Sequence, residues 1–67
     1  MPKLYSSREI ERVLEGNGFF FVSQRGSHGK FRKNDRVVIL PMNRKQTPMG
    51  TFGSILRQAG LTKKDFE

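Results

Sequence analysis

Phe19-Phe20-Phe21-Val22, His28-Gly29-Lys30-Phe31-Arg32 and Val37-Val38-Ile39-Leu40 are the runs that decide the fold of this chain. The first and third are rich in aromatic or β-branched residues, the composition of a pleated, half-buried strand, and the second, between two turns, reads as a strand beside them. Arg25-Gly26-Ser27 between the first two reads as a turn, and Asn34-Asp35 between the second and third as a tight hairpin turn. Pro41 stops the third run. Strands joined by such short turns must pair antiparallel. The core of the fold is therefore a three-stranded antiparallel sheet.

A helix is expected on either side of the sheet segment. Ser6-Ser7-Arg8-Glu9 has the spacing of a capping box, with Ser6 as N-cap and Glu9 reaching back; Tyr5 and Ile10 stand at staple positions. Ile10, Val13 and Leu14 form one apolar stripe at helical spacing, and Gly16-Asn17-Gly18 ends it. After a loop from Met42 to about Gln46, Thr47-Pro48 reads as an N-cap followed by proline at the first helical position. Phe52, Ile55, Leu56 and Ala59 make the second stripe, closed by Gly60. Thr62-Lys63-Lys64-Asp65 starts a short final turn or frays. The order is α-β-β-β-α, an α+β fold. Two helices with one apolar stripe each cover one face of the sheet and leave the other open.

Sixty-seven residues are read as a single domain, residues 1–67. A chain this short buries only about 60% of its unfolded surface, so its stability is marginal. It has no cysteine and one histidine, which excludes disulfides, a thiolate cage and a histidine-rich metal site; no cofactor is indicated. No apolar run approaches the roughly 20 residues of a membrane span. Met1-Pro2-Lys3-Leu4-Tyr5 lacks the apolar segment of a leader. The chain is accordingly read as complete and cytoplasmic, with no membrane role.

Thirteen Lys and Arg against six Asp and Glu give a net charge of +7 and a pI near 10.6. Such a balance speaks about partners: phosphate backbones first, anionic surfaces or acidic proteins next. The charge is densest at Arg25, Lys30, Arg32, Lys33 and Arg36, with a second group at Arg44 and Lys45.

His28 lies inside the denser group, just after a turn, so it is expected at a strand end near the surface. Histidine serves as acid or base near neutral pH. Among polyanions RNA has a use for that group, because its 2′-hydroxyl attacks the adjacent phosphate once deprotonated. In a regular strand His28, Lys30 and Arg32 share one face and Phe31 the other. Ser27, Lys30 and the backbone N–H groups around Gly26 and Gly29 are donors suited to phosphate, and the two glycines let another backbone approach. Arg25, Arg32, Lys33, Arg44 and Lys45 complete the expected RNA-binding set.

Each feature also has a plainer reading. A histidine beside a turn is often only a polar surface residue. Phe19-Phe20-Phe21 reads as core before it reads as a base-stacking platform, although alternation turns one or two of the rings away from the helices. Gly50 and Gly53 read as close helix–sheet packing before a phosphate cradle. Arg44-Lys45 is either a solvated loop or a phosphate contact ahead of the second helix. Met42 and Met49 are gap fillers or interface residues.

The chain resembles the HicA family, the small toxins of type II HicAB toxin–antitoxin pairs. Gly26-Ser27-His28 with Phe31 fits the family pattern G-S-H-x-x-F/Y. Asn17-Gly18-Phe19 matches the glycine and aromatic that follow the family's early helix. Pro48 to Leu61 is close to the family's P-x-G-T-L-x-x-I-L-x-x-A-G-L, with Phe52 at the first leucine. Gly29, where the family often has a second histidine or polar residue, and Gly53 depart from it. The resemblance implies a fold like a double-stranded-RNA-binding domain, an mRNA-cleaving endoribonuclease activity, and a HicB-like antitoxin laid over the His28 face. A homodimer or a larger assembly with the antitoxin is compatible with it. The rival from another class is a noncatalytic double-stranded-RNA-binding module, which has no need of His28. A third is an interaction protein whose basic surface pairs with an acidic partner. A second acid–base group is not evident: lysine as electrophile, His28 in both roles, or a second subunit remain open.

Overall fold

The computed structural model describes residues 3–67; Met1 and Pro2, the start of the stretch read above for a leader, lie outside it. The elements are α1 (Ser7–Gly16), β1 (Phe20–Arg25), β2 (His28–Lys33), β3 (Arg36–Pro41), α2 (Met49–Ala59) and a 3₁₀ turn, Lys63–Phe66. The three strands form one antiparallel sheet in the order β1-β2-β3. This is the α+β arrangement that the turn chemistry and the two stripes predict.

The capping box of α1 is complete. Ser6 Oγ accepts from the Glu9 N–H at 3.1 Å, and Glu9 Oε1 accepts from the Ser6 N–H at 2.9 Å. Together they satisfy two of the donors that a helix start leaves unpaired. Ile10 and Leu14 of α1, Phe31 of β2, Val38 and Leu40 of β3, and Phe52, Ile55 and Ala59 of α2 are buried together with Phe19. Tyr5 packs against this cluster, its ring 5.2 Å from those of Phe52 and Phe66. The last of these belongs to the 3₁₀ turn, so the C-terminal segment is docked. Thr62 and Asp65 form its own capping box.

The helices cover one face of β2 and β3, and β3 lies at the edge of the sheet. Its free edge is closed by α2: Gln58 Oε1 accepts from the Ile39 N–H at 2.8 Å, and the Gln58 carbonyl accepts from Arg36. Gly60 ends α2 at φ 70°. It is this left-handed backbone that favours glycine; a Cβ there would lie 2.7 Å from the Arg36 guanidinium carbon, a contact the flexible arginine can relieve by shifting.

Four expectations are corrected. Pro48, not Thr47, is the N-cap of α2: its carbonyl accepts from the Phe52 N–H at 2.9 Å. Thr47 is drawn inward instead, its N–H bound to the Tyr5 carbonyl and its Oγ1 buried without a partner. Gly50 and Gly53 are not pressed against the sheet, since a Cβ at Gly50 meets nothing and one at Gly53 meets only Arg57. The first strand runs to Arg25 rather than stopping at Val22. Of its three phenylalanines only Phe19, just before the strand, is core; Phe20 is 57% and Phe21 47% exposed. The helices gather over β2 and β3 and leave β1 uncovered.

Candidate functional site

β2 alternates as its sequence requires. His28, Lys30 and Arg32 are exposed, while Gly29 and Phe31 are buried toward the helices. His28 is the first residue of the strand. The Gly26-Ser27 turn precedes it, with Gly26 at φ 57°. The turn is tied to the far side of the sheet, because the Ser27 carbonyl accepts from the Met42 N–H at 2.6 Å. The end of the strand that carries His28 is thus pinned from both neighbours.

Cross-strand partners lie on one face. Arg25 stands opposite His28 on one side and Pro41 on the other; Ser23 and Ile39 flank Lys30 in the same way. Ser23, Arg25, His28, Lys30 and Ile39 line an open depression of about 440 Å³ on the helix-free face. The register of β1 shifts between Phe21 and Ser23, a β-bulge at Val22. Strict alternation from Phe20 would place Arg25 with Phe21, on the helix side. The extra residue reverses the parity, so Phe20 and Arg25 emerge on the same face. Ser23 and Ile39 are the lining residues the sequence reading missed. Both were legible, Ile39 from the period-two pattern of β3 and Ser23 by counting back two residues from Arg25 at the turn, but no glycine or other cue announces the bulge that turns Phe20 onto their face.

The depression is cationic and free of internal neutralisation. Among the described residues the ion pair is Lys3–Glu9 at 3.1 Å, remote from this face along the sequence. Arg25 and Lys30 take part in no ion pair there. Arg32 lies further along the face, its Nε donating to the Asn34 carbonyl at 3.0 Å. A histidine between two unpaired cations, open to solvent, suits a phosphodiester: a proton-transfer group with positive charge on either side.

A family model described as the HicA toxin of bacterial toxin–antitoxin matches residues 7–61. The chain belongs to this family. No curated protein matches the chain. The match runs from the first residue of α1 to the residue after Gly60, so it contains the whole sheet, both helices and every residue of the depression. Membership makes the protein a toxin of a toxin–antitoxin system and implies an antitoxin partner.

Within this HicA fold the other expected RNA-binding residues are scattered. Ser27 is exposed in the turn beside His28. Lys33 leaves the group: it alternates to the helix side, with Nζ 5.9 Å from the centre of the Phe19 ring and its stem against Gly18. Arg44 and Lys45 do not precede α2 directly. They sit at the start of α1, lining a second hollow with Ser6, Ser7, Arg8, Glu11, Met42 and Asn43. Ser7 holds them there. Its hydroxyl donates to the Pro41 carbonyl at 2.6 Å and accepts from the Arg44 N–H at 3.0 Å, and its own N–H reaches the Arg44 carbonyl at 2.9 Å. Gly29 is buried beside Met42: a Cβ there would lie 3.0 Å from Met42 Sδ.

Among the described residues no three His, Asp or Glu side chains gather as a metal site. No helix of the described residues is long and apolar enough to cross a membrane.

Proposed function

We propose that this toxin is a metal-independent endoribonuclease that cleaves mRNA with His28 as its proton-transfer group and so inhibits translation. The observation that carries the proposal is the placement of His28 between Arg25 and Lys30 in one solvent-open depression. His28 removes the proton of a ribose 2′-hydroxyl. The 2′-oxygen attacks the adjacent phosphorus, and the bond from phosphorus to the 5′-oxygen breaks. Arg25 and Lys30 stabilise the charge that builds on the phosphoryl oxygens, the role of pre-placed cations in phosphoryl chemistry. The imidazolium returns its proton to the departing 5′-oxygen. The products are a 2′,3′-cyclic phosphate and a 5′-hydroxyl, with one histidine acting as base and then acid. Ser27, Arg32, Arg44 and Lys45 hold the flanking phosphates; Lys33 contributes least, because it points to the helix side.

The antitoxin is proposed to be a HicB-like protein that lies over the His28 face. An acidic surface set on Arg25, Lys30 and Arg32 gains steering and fast association, and it shields the histidine sterically. A bound partner also stabilises a small domain by mass action.

The test is incubation of the purified toxin with a long single-stranded RNA in EDTA, with the product ends analysed. Cleavage leaving cyclic phosphates supports the reading. Binding without cleavage returns the protein to the noncatalytic RNA-binding class.

A further inference from the structure

Phe20 is the phenylalanine this fold does not use. Phe19 is core, Phe21 meets Phe31 edge-on at 5.6 Å, and Phe52 and Phe66 pack on each other at 4.9 Å. Phe20 has no ring partner among the described residues, lies outside the core cluster and is 57% exposed. It emerges on the open face, opposite Arg32, which in turn stands opposite Val37.

Three cross-strand rows make up that face: Phe20–Arg32–Val37, Ser23–Lys30–Ile39 and Arg25–His28–Pro41. Apolar side chains and cations are interleaved, and none of the nine positions is a carboxylate. Apolar surface alone would suit many partners. Apolar surface sharing its rows with cations suits a chain that carries rings and phosphates together. An exposed ring among cations favours a single strand, whose unstacked bases are free to turn onto the protein, over a duplex, whose bases are already paired and stacked.

We infer that Phe20 is a base-stacking subsite for single-stranded RNA, set at a fixed distance from the cleaved bond. This rests on the proposed reading of the His28 face as the RNA site. Arg32 and His28 are four residues apart on β2, a span of about 13 Å. That corresponds to roughly two to four nucleotides, according to whether the intervening bases are stacked at about 3.4 Å or extended. Arg32, beside Phe20, and Lys30, in the row between Phe20 and His28, take the intervening phosphates. Every base has a π-face, so the subsite adds affinity and fixes register without choosing a base. Val37, beside Arg32, extends the apolar end of the face.

The protein contains no tryptophan, which gives the test a unique reporter. The probe is a single-stranded oligoribonucleotide methylated at every 2′-oxygen. It cannot be cut, so binding is measured with His28 intact and independently of whether the toxin cleaves. Phe20→Trp is expected to bind the probe as wild type does, with its fluorescence quenched in proportion to occupancy. Phe20→Leu keeps an apolar side chain but removes the ring, and its affinity is expected to fall about 5- to 150-fold, the range for losing one stacked base. Circular dichroism should be unchanged, because the side chain is outside the core. Equal affinity of Phe20→Leu and wild type overturns the inference, as does unquenched Phe20→Trp at saturating probe. Loss of antitoxin binding in Phe20→Leu with RNA affinity intact assigns Phe20 to a protein interface and overturns it as well. Failure of wild type to cut unmethylated RNA counts against the nuclease reading alone.

Discussion

Arg25 and His28 are partners across the β1–β2 hairpin, set opposite each other by the two-residue Gly26-Ser27 turn, and the bulge at Val22 brings Phe20 onto the same face. The cations on this face are Arg25, Lys30 and Arg32; Arg44 and Lys45 line a separate hollow at the start of α1, where Ser7 holds their loop.

The first prediction concerns salt. Three to five phosphates neutralised by this set imply a slope of about −2 to −4 in log affinity against log salt for a single strand. Titrating binding to an uncleavable RNA from low to high salt gives the slope directly, and a flat line would assign the charge excess to another purpose. Lys30→Ala and Arg32→Ala should weaken binding more than Lys3→Ala or Lys64→Ala. Lys33→Ala should behave like the latter pair, because Lys33 lies over Phe19 on the helix side.

The order of elements, the capping box and the exposure of His28, Lys30 and Arg32 were all legible in the sequence, because each follows from local chemistry: turn residues, a four-residue cap, a period of two. The position of Lys33 followed from the same alternation, had it been extended one residue past Arg32. What was not legible depended on tertiary fit. The bulge that turns Phe20 onto the face of Arg25 and His28 leaves no mark in Val22-Ser23. Thr47 has the chemistry of a cap, yet the Tyr5 carbonyl claims its N–H and the helix begins one residue later. Arg44 and Lys45 are close to α2 in sequence but are placed by Ser7 of α1, thirty-seven residues from Arg44. Alternation already turned one or two rings of Phe19-Phe20-Phe21 away from the helices, but which ones was not legible, because the sequence does not say that both helices settle over β2 and β3.

The second prediction follows from Ser7. Its buried hydroxyl joins the end of β3 to the loop carrying Arg44. Ser7→Ala leaves the Pro41 carbonyl and the Arg44 N–H without that partner, a cost of about 1–3 kcal/mol. For a domain of this size each kcal/mol corresponds to roughly 4–8 °C in Tm. Thermal unfolding should show that drop, and hydrogen exchange should quicken at residues 42–47. An unchanged Tm would mean that the loop is held by other contacts.

The third prediction is a pH dependence. The Ser6 N–H donating to the Glu9 carboxylate, with Lys3 beside it, holds the Glu9 pKa below its ordinary value. A group whose folded pKa is lowered adds stability that is complete above its unfolded pKa, about 4.3 for glutamate, and that disappears as pH falls through the folded value. Glu9→Gln keeps the acceptor oxygen but not the charge. Its Tm should lie below that of wild type near neutrality, and the gap should close as the solution is acidified below about pH 4. A gap that persisted unchanged in acid would show that the charge of Glu9 is not its source.

The assignment of His28 as the proton-transfer group is tested most directly by comparing wild type with His28→Ala on long single-stranded RNA in EDTA, at matched circular dichroism. His28 is exposed and its neighbour Phe31, not His28, belongs to the core, so the variant should fold and still bind RNA. General acid–base groups contribute about 10²–10⁴-fold. Wild type should cleave in chelator, and the variant should be slower by at least that factor. Cleavage by His28→Ala at the wild-type rate, or activity that vanishes in EDTA and returns with magnesium, would contradict a metal-free mechanism built on this histidine.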